Sequence, residues 1–290
     1  MRKFFIFAFI FSVLTVGVVF VSAFILHTSK PTPPVVQKPV QTKVTIIEGW
    51  TLNDIAKNLD YSPKRQDVPH LVAMQDFLDT AKNFNVANYQ LLSSKPAKAS
   101  LEGFLYPDTY FVPLPGPSTS VSSVLIKKAL DNFENKFTPE MVEAANKRGM
   151  SVYEIITLAS IVKKETGRNA VTEDQQTRLA EERKIIAGIF YNRLTIDMPL
   201  QSDATVNYIT QKNTPSASAQ DIEINSPYNT YKYKGLPPGP IANPSLSSIL
   251  AALYPTKTDY MYFFHKQPGG EPVYSKTFEE HIANEKKYLK

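Results

Sequence analysis

The first residues constrain everything that follows. After Met1-Arg2-Lys3 the sequence runs uncharged from residue 4 to residue 26 and is rich in Phe, Val and Ile. A helix of about 20 apolar residues spans the hydrocarbon core of a bilayer. Arg2 and Lys3 ahead of the run favour keeping that end in the cytoplasm. A cleaved signal peptide carries a shorter apolar core, roughly 7 to 15 residues, and a small-x-small site, for which Val21-Ser22-Ala23 is a candidate. Residues 1–27 are read as a single-pass transmembrane anchor, and both readings place the rest of the chain outside the cytoplasm. Residues 28–42 begin with Lys30-Pro31-Thr32-Pro33-Pro34 after two polar residues and show no apolar periodicity. They read as an extended, semi-rigid linker.

The chain has the composition of a globular protein, 43% hydrophobic and 20% charged, which excludes wholesale disorder and collagen-like repeats. It has no cysteine, so disulfide scaffolds, thiol catalysis and thiolate zinc sites are excluded. His27, His70, His265 and His281 are not spaced as ligands on one helix face, and no metal or other cofactor is expected. Lys+Arg 32 against Asp+Glu 27 gives a net charge of +5, which suits anionic lipid or polymer. No basic run or interleaved aromatic stripe points to nucleic acid.

The body mixes helix and strand signals. Val44, Ile46 and Ile47 predict a strand and Glu48-Gly49 a turn. Thr51 caps a helix to Leu59 whose face is Leu52, Ile55, Ala56 and Leu59. Strand, glycine turn and short amphipathic helix make the shape of a small LysM-like unit, although on pattern alone an ordinary βα piece is the commoner reading. A second helical stretch covers 68–84. Strand-and-turn chemistry follows over 101–110, with a domain boundary just ahead of it. Helices are expected over 120–137, from Thr138-Pro139-Glu140 to Gly149, from the capping box Ser151-Val152-Tyr153-Glu154 to Glu165, and over 172–194. Beyond them come loops at 199–205, 227–231 and 235–244, a last helix from Leu246 and a strand over 260–264. Without regular βα alternation, the fold class is α+β.

The helix that ends at Glu165 carries apolar residues on opposite faces, Val152, Ile155, Ile156 and Ala159 on one and Leu158 and Ile161 on the other. Such a helix is buried, which leaves Glu165 where the chain emerges from the core. A partly buried glutamate with a raised pKa protonates a glycosidic oxygen, and the Asn-, Tyr- and Pro-rich loops downstream suit a sugar polymer. The bland alternative is a solvated helix end. Ser160-Ile161-Val162-Lys163 also matches the S-x-x-K pattern of penicillin-recognising enzymes. However, Ser160 lies in mid-helix, and Ser202-Asp203-Ala204 and Lys257-Thr258-Asp259 only half match the companion elements.

The runs Leu101-Glu102-Gly103-Phe104-Leu105-Tyr106-Pro107-Asp108-Thr109-Tyr110, Leu158-Ala159-Ser160-Ile161-Val162-Lys163-Lys164-Glu165-Thr166 and Phe190-Tyr191-Asn192-Arg193-Leu194 resemble, in order, signatures of the endolytic murein transglycosylases, the YceG-like family. Leu200-Gln201-Ser202-Asp203-Ala204-Thr205, Tyr228-Asn229-Thr230-Tyr231, Gly235-Leu236-Pro237-Pro238-Gly239-Pro240-Ile241 and Tyr274-Ser275-Lys276-Thr277-Phe278 continue the series.

The resemblance implies a LysM-like subdomain over 43–98 and a mixed helix/strand catalytic domain over 99–290. It also implies an enzyme of the bacterial inner membrane that cleaves peptidoglycan glycan strands beside cell-wall synthases. The product would carry 1,6-anhydro-N-acetylmuramic acid ends. The family's catalytic glutamate falls on Glu165, the second of two in an S-[IL]-[IV]-E-x-E motif. The first is Lys163 here, a nearby cation expected to lower the pKa of Glu165. Glu102, Asn192, Asp203, Thr205, Asn229 and Tyr231 are the candidates for lining the cleft. Each has a structural alternative, such as a helix C-cap for Asn192 and a turn for Asp203 or Glu102. The rival readings are a non-catalytic glycan-binding or scaffold protein and a serine acyl-enzyme built on Ser160.

Overall fold

Short polar signals start most of the helices, although Thr138, read as a cap, makes no side-chain capping bond. The computed structural model describes residues 40–62, 70–115, 120–167, 170–212, 214, 216–266 and 270–289. The chain runs β1 (Gln41–Thr45), α1 (Leu52–Asp60), α2 (Met74–Asn83), β2 (Thr109–Pro113), α3 (Val121–Lys136), α4 (Pro139–Lys147) and α5 (Val152–Glu165). It continues through α6 (Glu173–Thr195), α7 (Asp203–Thr210), α8 (Leu246–Leu253), β3 (Tyr262–His265), β4 (Pro272–Ser275) and α9 (Phe278–Tyr288). Reciprocal capping boxes open α1 at Thr51 and Asp54, α5 at Ser151 and Glu154, and α6 at Thr172 and Gln175. Such a cap satisfies two amides that the helix cannot, and contributes about 1 kcal/mol.

Among the described residues, helices joined by two small antiparallel sheets make an α+β fold. In the first sheet Val44 stands opposite Tyr110, and the Thr45 and Thr109 hydroxyls meet at 3.0 Å. β1 takes in Gln41 and Thr42, which the sequence reading gives to the linker. Its partner β2 lies beyond the expected boundary at 98/99, so one sheet draws on both sides of it. In the second sheet Phe263 stands opposite Tyr274.

The anchor over 1–27 and most of the linker lie outside the described residues. Among the described residues no helix is long and apolar enough to cross a membrane.

α5 is the axis of the core. It packs against α8, α6, α7 and α4, and the two-sided apolar pattern has the expected result: Ile155, Ile156, Leu158, Ile161 and Val162 are fully buried. At about 1.5–3 kcal/mol each, they outweigh the several kcal/mol that an ionised Lys163 costs in the same interior.

Three further parts differ from expectation. Residues 203–205 are not loop but the first turn of α7, an eight-residue helix ending at Gln211 in the left-handed region (φ 57°). Thr, Val and Ile are weak helix formers, and burial of Ala204, Thr205 and Val206 against the core overrides that preference. The helix from Leu246 is not the last, because β4 and α9 follow it. No α9 residue is buried, so its apolar face is too thin to be read from periodicity. Residues 101–105 form turns, and the strand itself is displaced to Thr109–Pro113.

Candidate active site

Glu165 is the final residue of α5, and the polypeptide is held firmly on either side of it. The Thr166 amide and hydroxyl both donate to the Val162 carbonyl, and Arg183 Nε donates to Thr166 Oγ1 at 3.1 Å. Glu165 keeps part of its surface open to solvent. Its carboxylate accepts a short hydrogen bond from Ser202 Oγ. Burial raises its pKa; the Ser202 bond opposes this, the negative charge of Asp203 adds to it, and His265 and Arg193 oppose it. The net direction is upward, so Glu165 holds its proton to higher pH than a free glutamate. That is the property of a general acid.

A hydroxyl network fixes Ser202 beneath Glu165. The Ser202 amide donates to Thr230 Oγ1 at 3.0 Å, and Thr205 Oγ1 donates to the Ser202 carbonyl at 2.7 Å and lies 2.9 Å from Thr230 Oγ1. One residue on from Ser202, Asp203 Oδ1 accepts from the Tyr231 hydroxyl at 2.7 Å. Burial, then the Asp203 bond, raises the Tyr231 pKa and keeps the phenol a neutral donor.

The structure therefore brings together Glu165, Asp203 and Tyr231 from the sequence candidates. Thr205 and Asn229 have no exposed surface. Asn229 organises the loop from within, donating to the Ile222 and Ile224 carbonyls at 2.8 Å and accepting from the Tyr231 amide. Asn192 is not a helix cap. Its amide donates to the carbonyls of Thr258 and Tyr260 at 2.8 and 2.9 Å and secures the segment entering β3.

Glu102 is buried, and both its oxygens accept from the Leu52 amide at 3.1 Å, so it closes the N-terminus of α1. Burial pushes its pKa up to about 8, which the Leu52 amide resists and Asp54 reinforces. The folded protein thus keeps a proton that the unfolded chain releases above about 4.3. This part of the stability is complete at low pH and declines as pH rises towards 8, with a slope of about 1.4 kcal/mol per pH unit. Glu102→Gln is expected to remove that dependence. Urea unfolding at pH 5 and pH 8 should show the parent losing at least about 1.4 kcal/mol more than the variant; equal losses would mean that Glu102 titrates normally.

Two other expectations meet different geometry. Ser160 has no exposed surface; its hydroxyl donates to the Thr157 carbonyl at 2.7 Å and accepts from the Ile241 amide at 3.0 Å. A hydroxyl so enclosed and so engaged is a packing element, which removes the acyl-enzyme reading. Lys163 turns to Glu48, 3.0 Å away. The groups that pull the Glu165 pKa down are Ser202, His265 and Arg193 instead.

Ser202, Arg193 and His265 were not among the sequence candidates. Buried Arg193 donates to the Met261 and Leu200 carbonyls, both at 2.7 Å, and His265 meets Glu182 at 2.9 Å. Ser202 and Arg193 do lie in the quoted motifs, and that adjacency was the available signal.

The model of the YceG-like family matches residues 26–287. The chain is 37% identical over 250 residues to an endolytic murein transglycosylase of Bacillus subtilis, an alignment covering 85% of this chain and 65% of that protein. It is also 37% identical over 264 residues to an endolytic murein transglycosylase of Streptococcus pneumoniae, covering 86% of this chain and 45% of that protein. The chain therefore spans from under half to just under two-thirds of the length of these relatives. A crystal structure of a yceG-like protein from Listeria monocytogenes superposes with a TM-score of 0.66 at 34% identity, over 84% of this chain and 75% of that one.

Proposed function

The chain belongs to the YceG-like family, and from that premise we propose that it is an endolytic lytic transglycosylase acting on peptidoglycan glycan strands. The bond cleaved is that between N-acetylmuramic acid and N-acetylglucosamine, and the reaction terminates or trims nascent strands. The observation that carries this reading is Glu165 itself, a half-buried glutamate with a raised pKa, held by Ser202 at the end of a buried helix.

Protonated Glu165 gives its proton to the glycosidic oxygen as the bond from that oxygen to C1 of the muramyl residue breaks. The resulting carboxylate accepts the proton of the muramyl 6-hydroxyl as O6 bonds to C1. The ring closes, Glu165 regains its proton, and no water is consumed. The 6-hydroxyl is part of the same sugar, so it attacks at high effective molarity. In the same reading, residues 4–26 hold the body at the outer face of the plasma membrane, close to the synthases that extend the strands. The expected subdomain over 43–98 then serves as a LysM-like module on the glycan.

One observation favours a second reading. Asp203 lies close enough to Glu165 to raise its pKa, and two neighbouring carboxylates are the equipment of a hydrolase. Digestion of purified peptidoglycan in ¹⁸O-labelled water separates the two. The transglycosylase reading expects no label at the cleaved end and a product lighter by one water. Stoichiometric label would reject it in favour of hydrolysis assisted by Asp203.

A further inference from the structure

Two buried cations and one carboxylate meet behind the last turn of α5. Lys163 Nζ lies 3.0 Å and Arg183 Nη2 3.4 Å from the same oxygen of Glu48, and both cationic side chains are at most 7% exposed. Glu48 comes from the turn between β1 and α1, Lys163 from α5 and Arg183 from α6. Ser245, the N-cap of α8, receives Arg183 Nη1 at 3.4 Å. Glu48 thus joins the first sheet's turn to the helix that carries Glu165.

The cluster bears directly on the site. Arg183 also donates to Thr166 Oγ1, and Thr166 follows Glu165 in the chain. Without Glu48, Lys163 and Arg183 become two like charges in a desolvated space with no counter-ion among the described residues, an arrangement that favours opening. Lys163 then pulls on the last turn of α5, or Arg183 releases Thr166. Either movement displaces the carboxyl of Glu165.

We propose that Glu48 is a positioning residue: by pairing Lys163 and Arg183 it sets the end of α5, and so makes cleavage depend on the β1–α1 turn. The proposal rests on Glu165 being the acid of the proposed reaction.

The test uses the full chain with Glu48→Gln, and with Glu48→Gln combined with Lys163→Glu, which returns a carboxylate to Arg183 from α5 itself. On purified peptidoglycan, Glu48→Gln is expected to lower kcat by about 10- to 100-fold, the cost of sub-ångström to ångström misplacement, with KM within about twofold. The double variant should recover to within about threefold of the parent. Rescue by a charge moved to another element is not what lost packing alone would give. A folded Glu48→Gln protein with parental kcat overturns the proposal. So does a double variant that fails to fold or to recover.

Hydrogen exchange at the Thr166 amide, which donates to the Val162 carbonyl, supplies a readout independent of turnover. Its protection should fall at least about tenfold in Glu48→Gln and return in the double variant, as expected of a local opening. Unchanged protection overturns the positioning role even if the parent cleaves nothing, an outcome that would itself reject the transglycosylase reading.

Discussion

Glu165→Gln is expected to fold as the parent does and to lose turnover by a factor on the order of 10² to 10⁴. Glutamine has nearly the same volume, and its carbonyl still accepts the Ser202 hydroxyl that the carboxylate accepts now. It neither gives nor takes a proton, so both halves of the proposed cycle fail. Stability should not fall with activity. Burial and Asp203 already press the Glu165 carboxyl towards its neutral form, and an amide removes the charge that the site resists. The sign follows from linkage: a carboxyl whose folded pKa is raised lowers stability as pH climbs from its unfolded value to its folded one. At neutral pH the variant's midpoint of thermal unfolding should equal or exceed the parent's. The measurement is the release of new glycan ends from purified peptidoglycan, with unfolding recorded on the same preparations. Near-parental release from a folded Gln variant would remove Glu165 from the chemistry.

How legible this arrangement is in the sequence depends on the range of the interaction. Thr51 with Asp54, and Ser151 with Glu154, act within one helical turn, and their residue types and spacing state the cap outright. The apolar residues on both faces of α5 likewise declare a buried helix, which places Glu165 at the edge of the core. Ser202 is 37 residues from Glu165, and Arg183 is 135 residues from Glu48. No local pattern reports such pairs, because topology alone brings them together. Lys163 shows the consequence: from spacing it looks like a cation for Glu165, yet its side chain leaves α5 towards Glu48. Thr205 and Asn229 show a second limit. Hydroxyl and amide groups serve a sugar or a backbone carbonyl equally well, and only their burial shows that these two face inward. α7 is obscured for a third reason, since its residues prefer strand or loop until the core covers them.

Gly103→Ala is expected to destabilise the protein by about 2–5 kcal/mol, the sum of a left-handed backbone cost of about 1–2 kcal/mol and an overpacking cost of about 1–3 kcal/mol. Gly103 has φ +89°, and a Cβ there would stand 2.6 Å from Cβ and Cγ of Pro240 and 2.8 Å from Cγ2 of Ile156. Neither neighbour yields easily. Pro240 is a ring in a proline-rich loop, and Ile156 is fully buried on α5. The methyl group would have to separate the 238–240 loop from α5, and the next amide, Ile241, is the one that donates to Ser160. Gly149→Ala separates the two contributions, because Gly149 has φ +69° with nothing within 4 Å of the added carbon. That variant should carry only the backbone cost, about 1–2 kcal/mol. Urea unfolding of both variants beside the parent gives the comparison. If Gly103→Ala costs no more than Gly149→Ala, the loop does not press on α5, and the floor beneath the turn at 101–105 is looser than these contacts require.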